Sequence, residues 1–372
     1  MRGLIKGFAS IKSIKKHAVD GYLYGRVGED HFVVIADEAT FNEEYLYECR
    51  ETLQNVLSDS VYNVRVCFGI YRTDNMNESL SFMCDKASFA VASIKDDTHS
   101  FIAYYDDTML EAAIKYKTIV DEFDDAIKAG EFKMYLQPQI SAKTRRLTGA
   151  EALVRRIKPD GTIISPIDFI PVYEKSGLIS RLDRYIWEQA AAKLGEWKKA
   201  GINMSISVNI SPKDFYYIDI FNTFAGLIKK YDIEPSNLKI EITETTIMSD
   251  VPNLMGELEE LRKAGFTLEM DDFGSGYSSL NTLKDINVDV LKVDMGFIKE
   301  TKNVKKSRII LASVIKMAKE LNLLIITEGV ETEEQVDNLT KLGCDVFQGY
   351  YFSKAIDVNE FEKRYLYRKK AG

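Results

Sequence analysis

Apolar and polar positions fall into two textures along the chain. Up to about residue 105 the pattern is mixed. Tyr22–Tyr24 and Phe32–Ile35 read as strands around a turn at Gly28. Asn42–Ser58 repeats apolar residues at helical spacing (Tyr45, Cys49, Leu53, Val56), Val61–Ile70 is β-rich, Leu80–Ala92 is helical and Phe101–Tyr105 is a short strand. Residues 106–131 read as helix, with Met109, Ala113, Ile114, Tyr116, Ile119, Val120, Phe123 and Ile127 as an apolar stripe. From about residue 131 short apolar runs alternate with helical patterns. Strands are predicted at Met134–Ile140, Leu147–Arg155, Ser205–Ile210, Leu238–Thr243, Thr267–Asp272, Val288–Asp294, Leu323–Thr327 and Val346–Phe352. Between them a helix is predicted at Pro212–Lys230, with Ser211 as N-cap and Phe215, Ile218, Phe221, Phe224 and Ile228 inward. Others are Ser307–Leu321, with Ile310, Val314, Met317 and Leu321 on its inner face, and Glu333–Leu342, capped by Thr332. This alternation over roughly 250 residues predicts an α/β fold, a (β/α)8 TIM-type barrel, behind a smaller α+β domain.

Composition narrows the chemistry. The chain is 45% apolar and 28% charged with 7 Pro, which suits a globular protein. Its 49 basic against 57 acidic residues give a net charge of −8, without the basic excess that a DNA or RNA polymer needs. The basic start (Arg2, Lys6, Lys12, Lys15, Lys16) reads as a solvated helix face. Four cysteines form no CxxC pair, which fits a reducing cytosol. No apolar run approaches a membrane span and no signal peptide opens the chain. A cytoplasmic location without membrane contact is therefore expected, although a longer parent could carry an anchor upstream. All three histidines (His17, His31, His99) precede residue 100, so the barrel region cannot hold a Ser-His-Asp triad, a Cys-His pair or a His-rich metal site.

In a barrel of this kind chemistry gathers at the C-terminal ends of the strands. The polar residues read there are Gln137, Glu151, Asn209, Glu241 with Glu244, Asp271 with Asp272, Lys292 with Asp294, Glu328 with Glu331, and Gln348. Taken singly, each has an ordinary explanation: a surface carboxylate, a turn cap, a salt-bridge partner. Taken together, they place many carboxylates on one mouth, where they repel and resist desolvation. Either some are protonated or cations hold them. Oxygen donors without His or Cys favour hard ions, Mg2+, Mn2+ or Ca2+, and two ions sharing one carboxylate would suit an in-line phosphoryl displacement.

These residues lie in segments that resemble EAL domains, the bacterial phosphodiesterases of cyclic di-GMP. The run Glu151-Ala152-Leu153-Val154-Arg155 matches the eponymous motif. In order follow Pro166–Pro171, Gly177–Ile179, Ser207–Ser211, Glu241–Glu244, Asp271–Leu280, Leu291–Asp294, Glu328–Thr332, Gly343–Asp345 and Gln348–Tyr350. The resemblance implies that Glu151, Asn209, Glu241 and Asp271 bind a first Mg2+ or Mn2+, and Asp271, Asp272 and Glu328 a second. It implies that Lys292 orients or helps activate the attacking water. Gln137, Arg155, Asp294 and Gln348 would contact or border the substrate. Glu244 would anchor the 273–280 loop, Glu331 would support the loop network, and the domain would pair as a homodimer. The implied reaction converts cyclic di-GMP to linear pGpG. Departures are mild: Ser275 for Thr, Ala355 for Pro, and Arg156-Ile157 for a commoner aromatic. A receptor that binds cyclic di-GMP without cleaving it, signalling through a partner protein, is the main rival.

The first segment resembles a GGDEF domain, the synthase module, through Arg26–Phe32, Val66–Ile70 and Tyr105–Met109. Glu29 replaces a glycine and His31 an acid, and Val19 and Tyr22 stand at the ends of the absent product-inhibition motif. The segment also starts too late for the family's first strand. The expected organisation is a degenerate, truncated GGDEF-like domain at 1–110, a helical joint at 111–130 and an EAL barrel at 131–372. The first part would lack synthase activity and serve structure or regulation, with GTP as a possible ligand.

Overall fold

The structure, a computed structural model, describes residues 2–7, 22–28, 31–57, 65–73, 75, 77–95, 97, 99–248, 251, 253–273, 283, 286–295 and 304–367. The chain divides into two compact units, Met1–Ile119 and Val120–Gly372. Among the described residues no helix is long and apolar enough to cross a membrane.

The first unit is built on strands β1 (Arg2–Gly7), β2 (Leu23–Arg26), β3 (Phe32–Asp37), β4 (Phe68–Thr73) and β5 (Ile102–Tyr104), in the spatial order β2-β3-β1-β4-β5. The basic start is not a helix face here. Arg2 and Lys6 lie on β1, which pairs antiparallel with both β3 and β4 at the centre of the sheet. Six residues containing Gly3 and Gly7 are short for a helix, and pairing on both edges satisfies the strand's backbone groups. Lys12, Lys15 and Lys16 lie outside the described residues. Alternation along the strands feeds two cores. Phe68 and Ile70 pack with Leu46 and Cys49 of the helix Glu44–Leu57, while Val33 and Tyr71 pack with Cys84 and Ala87 of the helix Leu80–Ser93.

The second unit is a closed eight-stranded barrel. Its staves are β6 (Phe132–Ser141), β7 (Leu147–Ile157), β9 (Ile206–Ile210), β10 (Leu238–Thr243), β11 (Leu268–Asp271), β12 (Val290–Asp294), β13 (Leu324–Glu328) and β14 (Val346–Phe347). Two short strands, β8 (Ile163–Ile164) and β15 (Ile356–Asp357), pair beside it. β6 closes the ring by pairing with both β7 and β14. It runs antiparallel to each, whereas the other neighbours are parallel. The expected barrel is therefore present with its first stave reversed. Residues 142–146 are too few for a parallel crossover, which takes a dozen or more, so β6 and β7 can only form a hairpin.

Two helices differ from their periodicity. The run expected at Pro212–Lys230 breaks into Asp214–Tyr217 and Ile220–Tyr231. Ile218 is extended, and the Asp219 side chain accepts from the Asn222 amide, so an internal N-cap restarts the helix. The helix expected at Ser307–Leu321 spans Val304–Glu320 and buries Leu311, Ile315 and Ala318, while Ile310 and Leu321 are exposed. Its apolar arc is wide, and spacing alone does not choose which edge faces the barrel. Thr332 caps Glu333–Leu342 as expected, completing a capping box with Gln335.

Alternation along the staves separates two environments. On β10, Ile240 and Ile242 are buried with no exposed surface, and Lys239 and Glu241 occupy the opposite face. Inside the barrel Val290, Ile326 and Val346 form an apolar floor, and Lys292 stands two residues above Val290 on the same face of β12.

Candidate active site

Four carboxylates from four staves converge on one ammonium. Lys292 Nζ lies 2.7 Å from Glu328 Oε1, 3.0 Å from Glu241 Oε2, 3.3 Å from Asp271 Oδ1 and 3.4 Å from Glu151 Oε2. Strand register brings them together: Asn209 is opposite Glu241, Asp271 opposite Thr243 and Glu328 opposite Asp294. Glu151, Glu241 and Lys292 lie inside their strands rather than at the ends, one layer below the rim. Asn209 Nδ2 donates to Glu151 Oε1 at 3.3 Å, and the Trp187 indole holds the Asn209 carbonyl at 2.9 Å.

The ring is charged and its centre is buried. Lys292 is 1% exposed and Glu241 fully buried. Burial works against the Lys292 ammonium, but the carboxylates of Glu151, Glu241, Glu328 and Asp271 outweigh it and hold its pKa well above the usual lysine value. Burial pushes Glu241 far up and Glu328 to about 8, with neighbouring carboxylates adding to the shift and Lys292 opposing it. Four carboxylates against one ammonium leave an excess of negative charge that asks for protons or cations.

The residues 120–355 match the EAL domain model, most of the second unit. The chain belongs to the EAL domain family. It is 31% identical over 358 residues to the signaling protein YkoW of Bacillus subtilis (95% of this chain, 45% of YkoW). It is 29% identical over 342 residues to MucR of Pseudomonas aeruginosa, a bifunctional diguanylate cyclase/cyclic di-GMP phosphodiesterase (90% and 50%). The chain thus spans about half the length of these curated relatives. Among solved structures it resembles the PaMucR phosphodiesterase in its c-di-GMP complex, with 32% identity and TM-score 0.62, over 66% of this chain and 99% of that one.

The EAL barrel sorts the expected residues. Glu151, Asn209, Glu241, Asp271, Glu328 and Lys292 meet in the ring. Asp272 follows with φ 57°, and its amide donates to Asp271 Oδ1 at 2.9 Å. That left-handed backbone costs an ordinary residue about 1–2 kcal/mol and is one that Asp tolerates. Gln348 is 3% exposed and bonds Glu151 Oε2 and Gln137 Oε1. Gly349 makes this placement possible: at φ 156° its Cβ would stand 2.2 Å from the Val330 carbonyl oxygen. Asp294 is exposed at the rim, Glu244 is buried at the start of Glu244–Met248, and Glu331 is exposed. Residues 274–280, most of the loop expected to be anchored by Glu244, lie outside the described residues.

Other polar groups surround the ring. Below the ring, Lys239 Nζ pairs with Glu269 Oε1 at 2.9 Å. Burial works to raise the Glu269 pKa, but Lys239 and then Lys292 hold it down. Gln139, 1% exposed, donates to Gln348 Oε1 at 3.2 Å. Beside the ring a cavity of about 270 Å³ is lined by Arg155, Glu174, Asp183, Trp187, Asn209 and Thr243. Asp183 is paired with the buried Asp214, whose second oxygen accepts the Ser211 amide at 2.8 Å. Burial raises both carboxyls, Asp214 to about 6 and Asp183, further pushed by Asp214, well above its ordinary value.

That pair sets a pH dependence. The folded Asp214 binds its proton more tightly than the unfolded chain, so stability falls as pH rises from about 4 to beyond 6. Asp214→Asn is expected to remove on the order of 1–3 kcal/mol of that loss. Urea midpoints of wild type and variant at pH 5 and pH 7 check it; parallel losses in the two proteins would refute it.

The resemblance implies divalent metals at this ring. Among the described residues no group of three His, Cys, Asp or Glu side chains is arranged to hold an ion, and Lys292 Nζ lies within 3.4 Å of all four carboxylates. The donor chemistry nevertheless fits hard divalent ions. All candidate donors are carboxylate or carboxamide oxygens, and Glu241 Oε1 is buried without a hydrogen-bond partner. An unpaired carboxylate oxygen beside excess negative charge is a place for a cation.

Proposed function

We propose that the EAL unit is a metal-dependent phosphodiesterase that opens cyclic di-GMP to linear pGpG. The convergence of Glu151, Glu241, Asp271 and Glu328 on Lys292 carries this reading, and the relatives' named activities support it. Glu151, Asn209, Glu241 and Asp271 would hold one Mg2+ or Mn2+, and Asp271, Asp272 and Glu328 a second. When bound, such ions supply charge neutralisation for the phosphodiester and acidify the attacking water. Water attacks phosphorus, the P–O3′ bond breaks and the leaving 3′ oxygen takes a proton. Lys292 is held protonated by its neighbours, so it acts as a hydrogen-bond donor and fixed positive charge, not as the base that removes the water's proton. The cavity beside the ring has room for part of the substrate, with Arg155 a partner for phosphate.

In this proposal the first unit is a degenerate GGDEF-like domain without synthase activity. Glu29 in place of a glycine and His31 in place of an acid support it. The test is incubation with cyclic di-GMP and Mg2+ or Mn2+, separating products by chromatography, with GTP in a parallel reaction. Formation of pGpG and no cyclic di-GMP from GTP is the expected result. Tight binding without product would replace the enzyme by a receptor that signals through a partner.

A further inference from the structure

Glu151 is held by donors on three sides: Asn209 Nδ2, Lys292 Nζ and Gln348 Nε2. The third belongs to a chain of carboxamides. Gln139 Nε2 donates to Gln348 Oε1 at 3.2 Å. Gln348 Nε2 donates to Glu151 Oε2 and, at 3.2 Å, to Gln137 Oε1, and Gln137 Nε2 donates to the Ser353 carbonyl at 3.2 Å. Carboxamides have two faces of similar shape, so the direction of such a chain needs a cause. Here both ends supply one. The Ser353 carbonyl can only accept, and the Glu151 carboxylate already accepts from Asn209 Nδ2 and faces Lys292 Nζ. Gln348 therefore turns its NH2 toward Glu151 and its oxygen toward Gln139, whose NH2 is the donor to that buried oxygen among the described residues.

We propose that Gln139 is a positioning residue for the metal site: it locks the Gln348 amide with its donor toward Glu151 and so holds that carboxylate in its ligating orientation. The inference rests on the reading of Glu151 as a metal ligand. Without Gln139, Gln348 Oε1 loses its buried donor, and the flipped amide sets an oxygen against the Glu151 carboxylate. Backbone geometry supports the role. Gln139 is opposite Gly149 in the β6–β7 hairpin, at an irregularity in the pairing. A Cβ on Gly149 would meet Gln139 Oε1 at 2.9 Å and Ser205 Oγ at 2.7 Å. The glycine leaves the space in which the Gln139 amide adopts this orientation.

The experiment measures Mn2+ affinity by calorimetry in the full chain without substrate, with melting temperature alongside. Variants are Gln139→Met, Gln348→Met, the double variant, and Gly149→Ala, which disturbs Gln139 without removing its amide. Outer partners of ligands are typically worth 10–100-fold in affinity, so Gln139→Met is expected to weaken Mn2+ by at least about 10-fold. The double variant should be no weaker than Gln348→Met, because Gln139 acts only through Gln348. Gly149→Ala should weaken Mn2+ in the same direction, and it carries the test if Gln139→Met does not fold. Wild-type affinity in Gln139→Met and Gly149→Ala, with only melting lowered, overturns the inference and leaves the functional reading standing. So do additive losses in the double variant. A wild-type chain that binds no Mn2+ removes the metal reading itself, and the inference with it.

Discussion

Lys292→Met is expected to lower turnover of cyclic di-GMP by about 10²–10³-fold, the usual cost of removing one preorganised donor from an active centre. It should also destabilise the metal-free EAL unit by about 3–5 kcal/mol, as happens when one partner of a buried charge cluster is removed. The side chain is 1% exposed and is the ammonium shared by Glu151, Glu241, Asp271 and Glu328. Methionine keeps most of the volume and none of the charge, so packing loss does not explain the effect. Mg2+ should restore part of the lost melting temperature, since divalent charge can replace ammonium charge, but not the turnover. Product chromatography and thermal denaturation with and without Mg2+ check both parts. Turnover within threefold of wild type would mean that the ring is not the reacting centre.

The barrel was legible because its outer faces obey a strict alternation. Ile240 and Ile242 on β10, and Leu291 and Val293 on β12, are the apolar positions that mark a strand. Their alternate partners, Glu241 and Lys292, are polar because they face the interior, and reading them as strand ends found the right residues one layer too high. The reversal of β6 has a signal in the sequence: no helical pattern fits between Ser141 and Leu147. The inward face of Val304–Glu320 was not legible, since Ile309, Ile310, Leu311, Val314 and Ile315 spread apolarity over several directions. Most of the groups supporting the ring were hidden for a different reason. Gln139 and Gln348 are separated by 209 positions, and Lys239 and Glu269 by 30. Nothing local distinguishes a glutamine that orients another glutamine from one facing water. Asp183 and Asp214 likewise become a pair only when the helix Ile179–Lys199 packs beside β9.

Glu241→Gln tests the same ring with the opposite sign. Glu241 is fully buried, its Oε1 has no hydrogen-bond partner, and burial beside Glu151 drives its pKa far upward. In the metal-free protein burial and the neighbouring carboxylates favour the neutral form of this group, so an amide of nearly the same shape should change melting by no more than about 2 °C, the scale of a surface-sized stability change in a unit of this length. With metal present the comparison reverses. A ligand at 100 times its dissociation constant stabilises by about 2.7 kcal/mol, roughly 5–10 °C here, and this rise requires a carboxylate able to give up its proton. Glu241→Gln should lose most of the rise and at least about 10²-fold in turnover while keeping its metal-free stability. Lys292→Met loses metal-free stability and gains from metal; Glu241→Gln keeps that stability and gains little. An undiminished Mg2+-induced rise in Glu241→Gln would take Glu241 out of the ligand set. The charge balance of the ring would then have to be met by protons alone.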